Sequence, residues 1–584
     1  MRSDATSLRP SSSPCADTAS PPRHRQGALR RTSVRGCLHS RPTQDGRPRL
    51  PTLVQAGTQP PSALRACRRS RPSIGAIGSS GCTPERAEGS LARRGPVAPH
   101  AGAGGVAGDA VAAAGEGEVP RWTPRLTLAA MCICLASWHF GFHSGVMNLP
   151  LNAIAASLHM GLAAKSATVS ALVVGGAAGA LGCAPLSDRL GRRSALIAAA
   201  APLLVGAVVC GAASGAAMLC AGRFLCGLGV GASSVVAPAL VAELSPPASR
   251  GLASTLTRLA YVVGVLTSYV AATLLQTDAA LGWWRQLFAW AAVPSIVLAG
   301  TMLAGASPES PSWLARQGRT ADAASALRAV QGVSQGAAER WVSAEVALSE
   351  QASRGGGGGW GELLRPEHRR SMQICCGLAL AQALGGSNAV IYFAATIFVG
   401  AGATGSQATG SILVGLCNLA GTFLALRLSD GLGRKPLLLG SFSGMAICMA
   451  ALAASQLPTV TTAAPMVAST VVSVAVPAFV LVFASAVGPL PYLLYSEVLA
   501  ARVRGKGTSL VGALNWAAVL LLSATFLPLY TQLGPSVTFA LYAAINLAAA
   551  LFVHLCVFET KGRSLQEIER ELASQRRSAK GKPL

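Results

Sequence analysis

The chain has 584 residues, of which 51% are hydrophobic and only 12% are charged. A water-soluble protein of this length rarely carries so few charges, so the composition is that of a membrane protein. The formal net charge of +24 would suit a nucleic-acid-binding protein, but no patch of interleaved aromatic and basic residues accompanies it, which argues against that class. The fifteen cysteines are scattered without metal-ligand spacing, so neither a disulfide framework nor a metal site is expected.

The first hundred residues form a polar segment with seventeen arginines, no lysine and only five acidic residues. N-termini that are rich in Arg and Ser and poor in acids are typical of organelle transit peptides. We therefore expect residues 1–115 to be disordered and to act as a plastid transit peptide. A plain disordered tail and a mitochondrial signal are the alternatives.

Twelve later stretches are long and apolar enough to cross a bilayer, which takes roughly 20 residues. They lie near residues 126–147, 167–186, 194–213, 217–242, 256–275, 285–306, 372–399, 408–428, 436–455, 466–494, 508–530 and 534–557. This pattern predicts an all-α membrane protein with twelve transmembrane helices in two six-helix halves.

Polar segments divide the chain into an N-terminal half at 120–306, a central loop at 307–371, a C-terminal half at 372–558 and a tail at 559–584. In the central loop, the glycine run Gly355–Gly359 is interpreted as a flexible linker, and the helical periodicity before it predicts short surface helices.

Basic residues concentrate in alternate loops and so predict the orientation in the membrane. The loops after the even-numbered spans and the C-terminal tail hold Arg189, Arg192, Arg193, Arg250, Arg434, Lys435, Arg502, Arg504, Lys506, Lys561 and Arg563. The opposite loops carry little beyond Lys165 and Asp278. Both termini and the central loop are therefore expected on the positive-inside face.

Three charged motifs occur twice in the same order. DRLGRR at 188–193 is echoed by DGLGRK at 430–435, ELSPPASR at 243–250 by EVLAARVR at 497–504, and PESPSWL at 308–314 by FETKGRSL at 558–565. Such a repeat is a mark of secondary transporters. We expect a charged latch on the positive-inside face, formed by Asp188, Arg192, Arg193, Glu243, Arg250, Asp430, Arg434, Glu497 and Arg504; simple positive-inside anchors are the alternative.

With these motifs, and with GRFLCGLGVGASS (222–234), QALGGSN (382–388) and GPLPYLLYSE (488–497), the chain resembles the sugar porter branch of the major facilitator superfamily. The resemblance covers about residues 120–571. FGFHSGV at 140–146 and SEVLAARVRGKG at 496–507 are most similar to the plastidic glucose transporter type. The resemblance implies the major facilitator fold and an alternating-access sugar carrier.

A sugar site needs amides that both donate and accept hydrogen bonds, together with an aromatic face. By resemblance, Gln382, Asn388 and Asn418 match sugar-contacting positions, and Tyr392 and Phe393 match an aromatic pair that helps to gate the pocket. Tyr492 stands where many relatives have a covering Trp, and Trp516 fits either the pocket or helix packing. For each of these residues the alternative is helix–helix contact.

The chain also departs from the family pattern. Arg258 stands where relatives usually have Gln, and Ala383 and Val519 replace further amides. A guanidinium in a membrane bundle favours an anion, so Arg258 would select an acidic or phosphorylated ligand. Alternatively, it turns aside to a backbone carbonyl or water and leaves a neutral-sugar site intact.

Proton-driven relatives generally have an Asp where this chain has His143, and no Asp or Glu stands in the middle of a span. This favours facilitated diffusion, with proton coupling through His143 as the alternative.

The sequence thus predicts a carrier that moves a hexose, most simply glucose, by facilitated diffusion across a plastid inner envelope; the alternative location is the plasma membrane. Its partners are a sugar and the lipid bilayer, without nucleic acid or cofactor. The rival functions are a proton-coupled sugar or organic-anion symporter in another membrane and a sugar sensor that does not transport. An enzyme is not expected, since no nucleophile and base occur together and His368 has no evident partner. No catalytic or metal-binding residue is assigned.

Overall fold

The computed structural model describes residues 120–276, 282–354, 360–403, 407–500, 502–563 and 567–572. Within these ranges, twelve helical segments are long and apolar enough to cross a membrane, which confirms the predicted fold class. In chain order, spans 1 to 12 are Pro124–Gly145, Leu162–Leu190, Arg192–Gly211, Ala216–Leu244, Pro247–Leu275, Trp283–Leu303, Arg369–Gly400, Gln407–Ser429, Arg434–Ser455, Pro465–Val498, Arg504–Gln532 and Pro535–Cys556. The predicted transit peptide and the glycine run Gly355–Gly359 lie outside the described residues.

Two of the spans are interrupted. Span 7 consists of helices Arg369–Leu384 and Ser387–Gly400, separated by Gly385 and by Gly386, whose φ is +96°. Span 10 consists of helices Pro465–Ser485 and Leu490–Val498. An interrupted helix leaves backbone groups without intrahelical partners inside the bundle, where they can hold a side chain or a ligand.

Glycines let spans 2 and 4 touch backbone to backbone. A Cβ at Gly227 would collide with the carbonyl oxygen of Leu172, and a Cβ at Gly231 would collide with that of Gly176. The Gly-rich run of span 4 therefore serves close helix packing.

The central segment contains helices Pro311–Arg316, Thr320–Gln331 and Gln335–Arg354. They share a small apolar core of their own. The Thr123 hydroxyl donates to the Val330 carbonyl over 2.7 Å, and the Gln331 amide donates to the Leu244 carbonyl over 3.1 Å. These bonds fix the segment to spans 1 and 4 of the N-terminal half.

The two halves are joined near the face opposite the basic loops, which we call the outer face. Asn148, just after span 1, donates to the Ser411 hydroxyl of span 8 over 3.1 Å. The Ser170 and Ser523 hydroxyls of spans 2 and 11 share a hydrogen bond of 3.0 Å. Since these residues lie in the outer parts of their spans, the structure is that of a bundle closed at the outer face.

Candidate functional site

The interruptions of spans 7 and 10 meet at Gln382. Its buried side-chain amide donates to the carbonyl oxygens of Val487 and Gly488 over 2.8 and 3.0 Å. Its own oxygen accepts a weak, 3.5 Å hydrogen bond from Asn515 of span 11. Gln382 therefore uses its donors to hold the turn in span 10, and it offers a ligand mainly its oxygen.

The two other predicted amides, Asn418 and Asn388, differ in how far they are buried. Asn418, in span 8, is 1% exposed, and neither its Nδ2 nor its Oδ1 has a partner in the described part of the chain. Asn388, at the start of the second helix of span 7, is half-buried. A buried amide without a partner costs about 1–3 kcal/mol, so the orphaned Asn418 marks a place where a polar ligand would be stabilising.

The predicted aromatic residues occupy two different environments. Tyr492 is 57% exposed and makes an edge contact with Tyr495, with 5.7 Å between ring centroids. Tyr392 and Phe393 are buried at 4% and 0% exposure, and Phe393 stacks on Phe526 at 5.2 Å. Tyr492 is thus open to a ligand, whereas the Tyr392–Phe393 pair is packed in this state.

Trp516 of span 11 packs between the two halves, next to Asn515, which donates to the Gln382 oxygen. Its ring lies 5.9 Å from that of Phe140 in span 1, and it fits over Gly176 of span 2, where a Cβ would lie 2.6 Å from the indole. Trp516 therefore both packs between the halves and stands next to Asn515, so the two sequence-based interpretations are compatible.

Arg258 faces the space between spans 5 and 10. Its guanidinium carbon lies 4.9 Å from the centre of the Tyr261 ring, and its Nε has no hydrogen-bond partner among the described residues. A Cβ at Gly488 would lie 3.0 Å from its Nη2. The guanidinium is therefore adjacent to the turn that Gln382 holds.

His143 is fully buried, and neither ring nitrogen has a hydrogen-bond partner in the described ranges. Arg223 of span 4 is also fully buried, and its Nη1 donates to the His143 carbonyl over 2.9 Å. Sequence reasoning did not single out Arg223, although a lone arginine inside the apolar run of span 4 was a visible signal.

The charged motifs of the N-terminal half form one cluster around Arg192. Its guanidinium lies 3.2 Å from the Asp188 carboxylate and 3.3 Å from that of Glu243, and it donates to the Ser187 carbonyl over 3.1 Å. Arg193 instead donates to the Met302 carbonyl at the end of span 6 over 2.9 Å.

The C-terminal half repeats this arrangement. Arg434 pairs with Glu497 at 3.2 Å and donates to the Ser429 carbonyl over 3.2 Å. In each half, Glu243 or Glu497 thus pairs with the arginine of the motif that begins with Asp. Arg504 donates to the Leu499 carbonyl over 3.2 Å, and Arg250 begins the main helix of span 5. The Asp430 side chain lies outside the described part of the structure.

Sequence reasoning missed the role of the third motif, which supplies a carboxylate to the start of a span in each half. The Glu309 carboxylate accepts hydrogen bonds from the backbone N–H groups of Arg192 and Arg193 over 2.8–3.1 Å. The Glu559 carboxylate accepts hydrogen bonds from those of Arg434 and Lys435 over 3.0 Å. Burial raises the pKa of the Glu559 carboxyl, whereas the N–H groups that it accepts lower it, and the net pKa lies below the ordinary 4.5. The signal was the shared Glu in PESPSWL and FETKGRSL.

Glycine makes this arrangement possible in both halves. Gly191 and Gly433, which precede spans 3 and 9, have φ values of +95° and +91°. A Cβ at either position would collide with the carboxylate of Glu309 or Glu559. The duplicated sequence therefore encodes a duplicated structure at the inner face.

Twelve described spans in two matched halves, with two interrupted spans and an orphaned amide in the span next to one of them, define a secondary carrier of the major facilitator fold. The chain belongs to the sugar transporter family: the model of the family described as "Sugar (and other) transporter" matches residues 129–572. This confirms the resemblance seen in the sequence, and the fold and relatives are those of carriers, not of enzymes.

Similar proteins include plastidic glucose transporter 4 of Arabidopsis thaliana, 35% identical over 447 residues that cover 76% of this chain and 79% of that protein. The D-xylose transporter of Levilactobacillus brevis is 30% identical over 74% of this chain and 93% of its own length. Among solved structures, the partially occluded inward-open xylose transporter XylE from E. coli has a TM-score of 0.65 at 24% identity and covers 76% of this chain and 100% of its own. That last likeness concerns the fold.

Proposed function

We propose that this protein carries a hexose by facilitated diffusion through alternating access, in the inner envelope of a plastid. The observation that carries the proposal is the orphaned amide of Asn418 in span 8, which packs against the second helix of span 7, where Asn388 lies. Sugar hydroxyls both donate and accept, so they satisfy an amide on both of its polar atoms. Tyr492 adds an exposed aromatic face on which a sugar ring would pack.

The transport cycle follows from the arrangement of the two halves. The bundle is closed at the outer face by Asn148 and Ser170, while the clusters around Arg192 and Arg434 stay within their own halves. A substrate therefore enters from the inner face in this state, and rocking of the halves would carry it across. In this proposal the clusters act as the latch, since they hold together the inner ends of the spans within each half and would meet new partners when the halves rock.

Facilitated diffusion is favoured over proton coupling by the surroundings of His143. The described middle parts of the spans contain no carboxylate, and Arg223, bonded to the backbone of His143, is already a cation. A protonated His143 would place two positive charges side by side in a buried site, which is costly without a counter-ion.

The plastid location is supported by the arginine-rich, acid-poor N-terminus and by the similarity to plastidic glucose transporters of Arabidopsis thaliana. Import of the full-length chain into isolated plastids tests it. We expect a shortened product that is protected from added protease and inserted in the inner envelope; a full-length product on another membrane contradicts the location.

Uptake of labelled glucose by proteoliposomes that contain the full chain tests the transport proposal. We expect saturable uptake that is unchanged by an imposed pH gradient. Uptake that follows the gradient and is lost in His143→Gln would establish the symporter instead. Saturable sugar binding without flux of any sugar would establish a sensor.

A further inference from the structure

Among the described residues, Arg258 is a cation for which no anionic partner is recorded. It lies eight residues after Arg250, hence about 12 Å along span 5 from the inner face. In the described chain, its side chain makes no hydrogen bond or ion pair that the structure records. It makes a cation–π contact with the Tyr261 ring. A cation–ring contact at a partly exposed site contributes only about 0.5–1 kcal/mol, which does not satisfy five N–H donors.

The guanidinium is directed at the substrate site and not at the lipid. Its Nη2 lies beside Gly488, whose carbonyl accepts the Gln382 amide over 3.0 Å. Tyr492, within electrostatic range of Arg258, presents its exposed ring to the same space. One positive charge therefore stands next to the turn that Gln382 holds and to the aromatic face on which a sugar would pack.

Alternating access changes the hydration of the Arg258 guanidinium. In the present state the space beside Tyr492 is open, so water can solvate the guanidinium. When the inner ends of the halves close around a neutral sugar, Arg258 loses that water and gains no counter-charge. Burying an unpaired cation is strongly unfavourable, whereas an anionic group in bidentate contact with the guanidinium would replace the lost hydration.

We propose that Arg258 makes this carrier prefer hexoses that bear one anionic group, a carboxylate or a phosphate, over neutral hexoses. The inference rests on the proposed transport function and narrows its substrate class. The guanidinium holds the anionic group, while Asn388, Asn418 and the Gln382 oxygen hold the ring hydroxyls.

The test uses the full chain in proteoliposomes and measures how glucose, glucuronate, glucose 6-phosphate and inorganic phosphate compete with labelled glucose and labelled glucuronate. We expect at least one anionic sugar to compete at a concentration about tenfold lower than glucose, which corresponds to about 1.4 kcal/mol. The carboxylate and phosphate arms identify which anionic group is accepted.

Arg258→Gln should abolish this preference and bring the anionic sugars to the level of glucose, while Arg258→Lys should retain part of it. Arg285→Gln is the matched control, because Arg285 also stacks on an aromatic ring, that of Trp284 at 4.3 Å, but bonds the Ala213 carbonyl away from the site. It should leave the preference unchanged.

Anionic sugars that compete no better than glucose, or a preference that survives Arg258→Gln, would overturn the inference while leaving glucose transport established. Inorganic phosphate that competes as well as glucose 6-phosphate would overturn it too, because the site would then bind anions regardless of the sugar.

A binding measurement that uses intrinsic tryptophan fluorescence as its signal separates the anionic-sugar preference from the transport proposal. An anionic sugar that quenches fluorescence at lower concentration than glucose without any flux supports the preference and contradicts transport; no quenching by either contradicts the preference.

Discussion

Asn148 of the N-terminal half and Ala395 of the C-terminal half share a buried hydrogen bond, in which the Ala395 backbone N–H donates to Asn148 Oδ1 over 2.8 Å. The Tyr269 hydroxyl, also from the N-terminal half, donates to the Ile391 carbonyl over 2.8 Å. An α-helix normally pairs the carbonyl of residue 391 with the N–H of residue 395. Two side chains of one half therefore bind the same helical turn of span 7 in the other half, and this turn is a main point of outer closure.

Replacement of Asn148 by Ala should weaken that closure. The change removes the acceptor of the Ala395 N–H and the donor to Ser411, and losing a buried hydrogen bond costs about 1–3 kcal/mol. We expect a larger population that is open at the outer face, measured as a longer distance between spin labels at the outer ends of spans 1 and 8.

Asn152→Ala is the matched control, because Asn152 is exposed and its one recorded side-chain hydrogen bond in the described ranges is the one it accepts from Lys165 over 3.2 Å. A distance distribution that is identical in Asn148→Ala and Asn152→Ala would contradict the role of Asn148 in closure.

Hydropathy predicted the twelve spans correctly, because the bilayer imposes a minimum length on each apolar segment separately. The division into halves and the orientation, which rest on the polar segments and the basic loops, stay predictions. The interruption of span 10 was not predicted, since residues 466–494 are apolar throughout and only the GPLP sequence marks the turn. Glu243 pairs with Arg192. The sequence places these residues in two separate motifs, at 188–193 and 243–250, and the spacing between the motifs does not say which arginine the Glu contacts. Contacts such as Asn148–Ser411 join residues 263 positions apart and depend on how the halves pack.

The amides of the candidate site show the same limit. The sequence named Gln382, Asn388 and Asn418 as equivalent polar groups. The structure shows that they differ, because Gln382 donates to backbone carbonyls whereas neither polar atom of Asn418 has a partner among the described residues. Hydrogen-bond satisfaction is a property of the assembled bundle and cannot be read from residue type.

This difference gives a prediction for Asn418. Asn418→Ala removes a side chain whose polar atoms have no partner among the described residues, so the apparent melting temperature without added sugar should stay the same or rise. Sugar affinity should fall by about tenfold, or about 1.4 kcal/mol, because the ligand hydroxyls lose their partner. Equilibrium binding and thermal unfolding in detergent measure both effects.

Asn546→Ala should behave in the opposite way. The Asn546 amide donates to the Gly385 and Tyr542 carbonyls, each over 2.8 Å, so its loss should lower the melting temperature. If Asn418→Ala destabilised the protein as much as Asn546→Ala and left sugar binding unchanged, Asn418 would be a structural residue.

Gly433→Ala should destabilise the start of span 9. Alanine at a φ of +91° is strained, and its Cβ would displace the carboxylate of Glu559. We expect a loss of roughly 1–3 kcal/mol in the free energy of unfolding. Gly440→Ala, two turns later in the same span and with open space around a Cβ, is the control and should be neutral or stabilising. Equal melting temperatures for the two variants would be inconsistent with the cap.

Glu559→Gln should lower stability in a pH-dependent manner. Because the folded pKa of Glu559 lies below 4.5, the ionised carboxylate stabilises the folded state fully above about pH 4.5 and loses this effect as the pH falls through the lower folded value. At pH 7 we expect Glu559→Gln to cost about 1 kcal/mol, the usual size of a lost helix cap.

Thermal unfolding in detergent between pH 7 and pH 3 should therefore show the melting curves of wild type and Glu559→Gln converging at the acidic end. The exposed Glu367 provides the control, and Glu367→Gln should track the wild type throughout. A gap that is constant across this range would mean that the charge of Glu559 contributes nothing to the cap.

The cluster around Arg192 allows the latch to be separated from simple anchoring. The Asp188 side chain is 73% exposed, whereas those of Arg192 and Glu243 are 12% and 25% exposed. An exposed ion pair contributes about 0–1 kcal/mol, so Asp188→Asn should insert normally and keep its melting temperature. Asp188 is nevertheless the member best placed to exchange partners when the inner ends of the halves approach, so we expect slower sugar uptake by this variant in proteoliposomes.

Glu243→Gln removes the less exposed partner of Arg192 and should lower both uptake and the melting temperature, because the guanidinium keeps only an exposed counter-ion. The two variants together distinguish the roles. Impaired uptake with unchanged stability in Asp188→Asn means that the cluster acts during the transport cycle. Normal uptake in Asp188→Asn together with a destabilised Glu243→Gln would reduce the cluster to a structural anchor of the inner face.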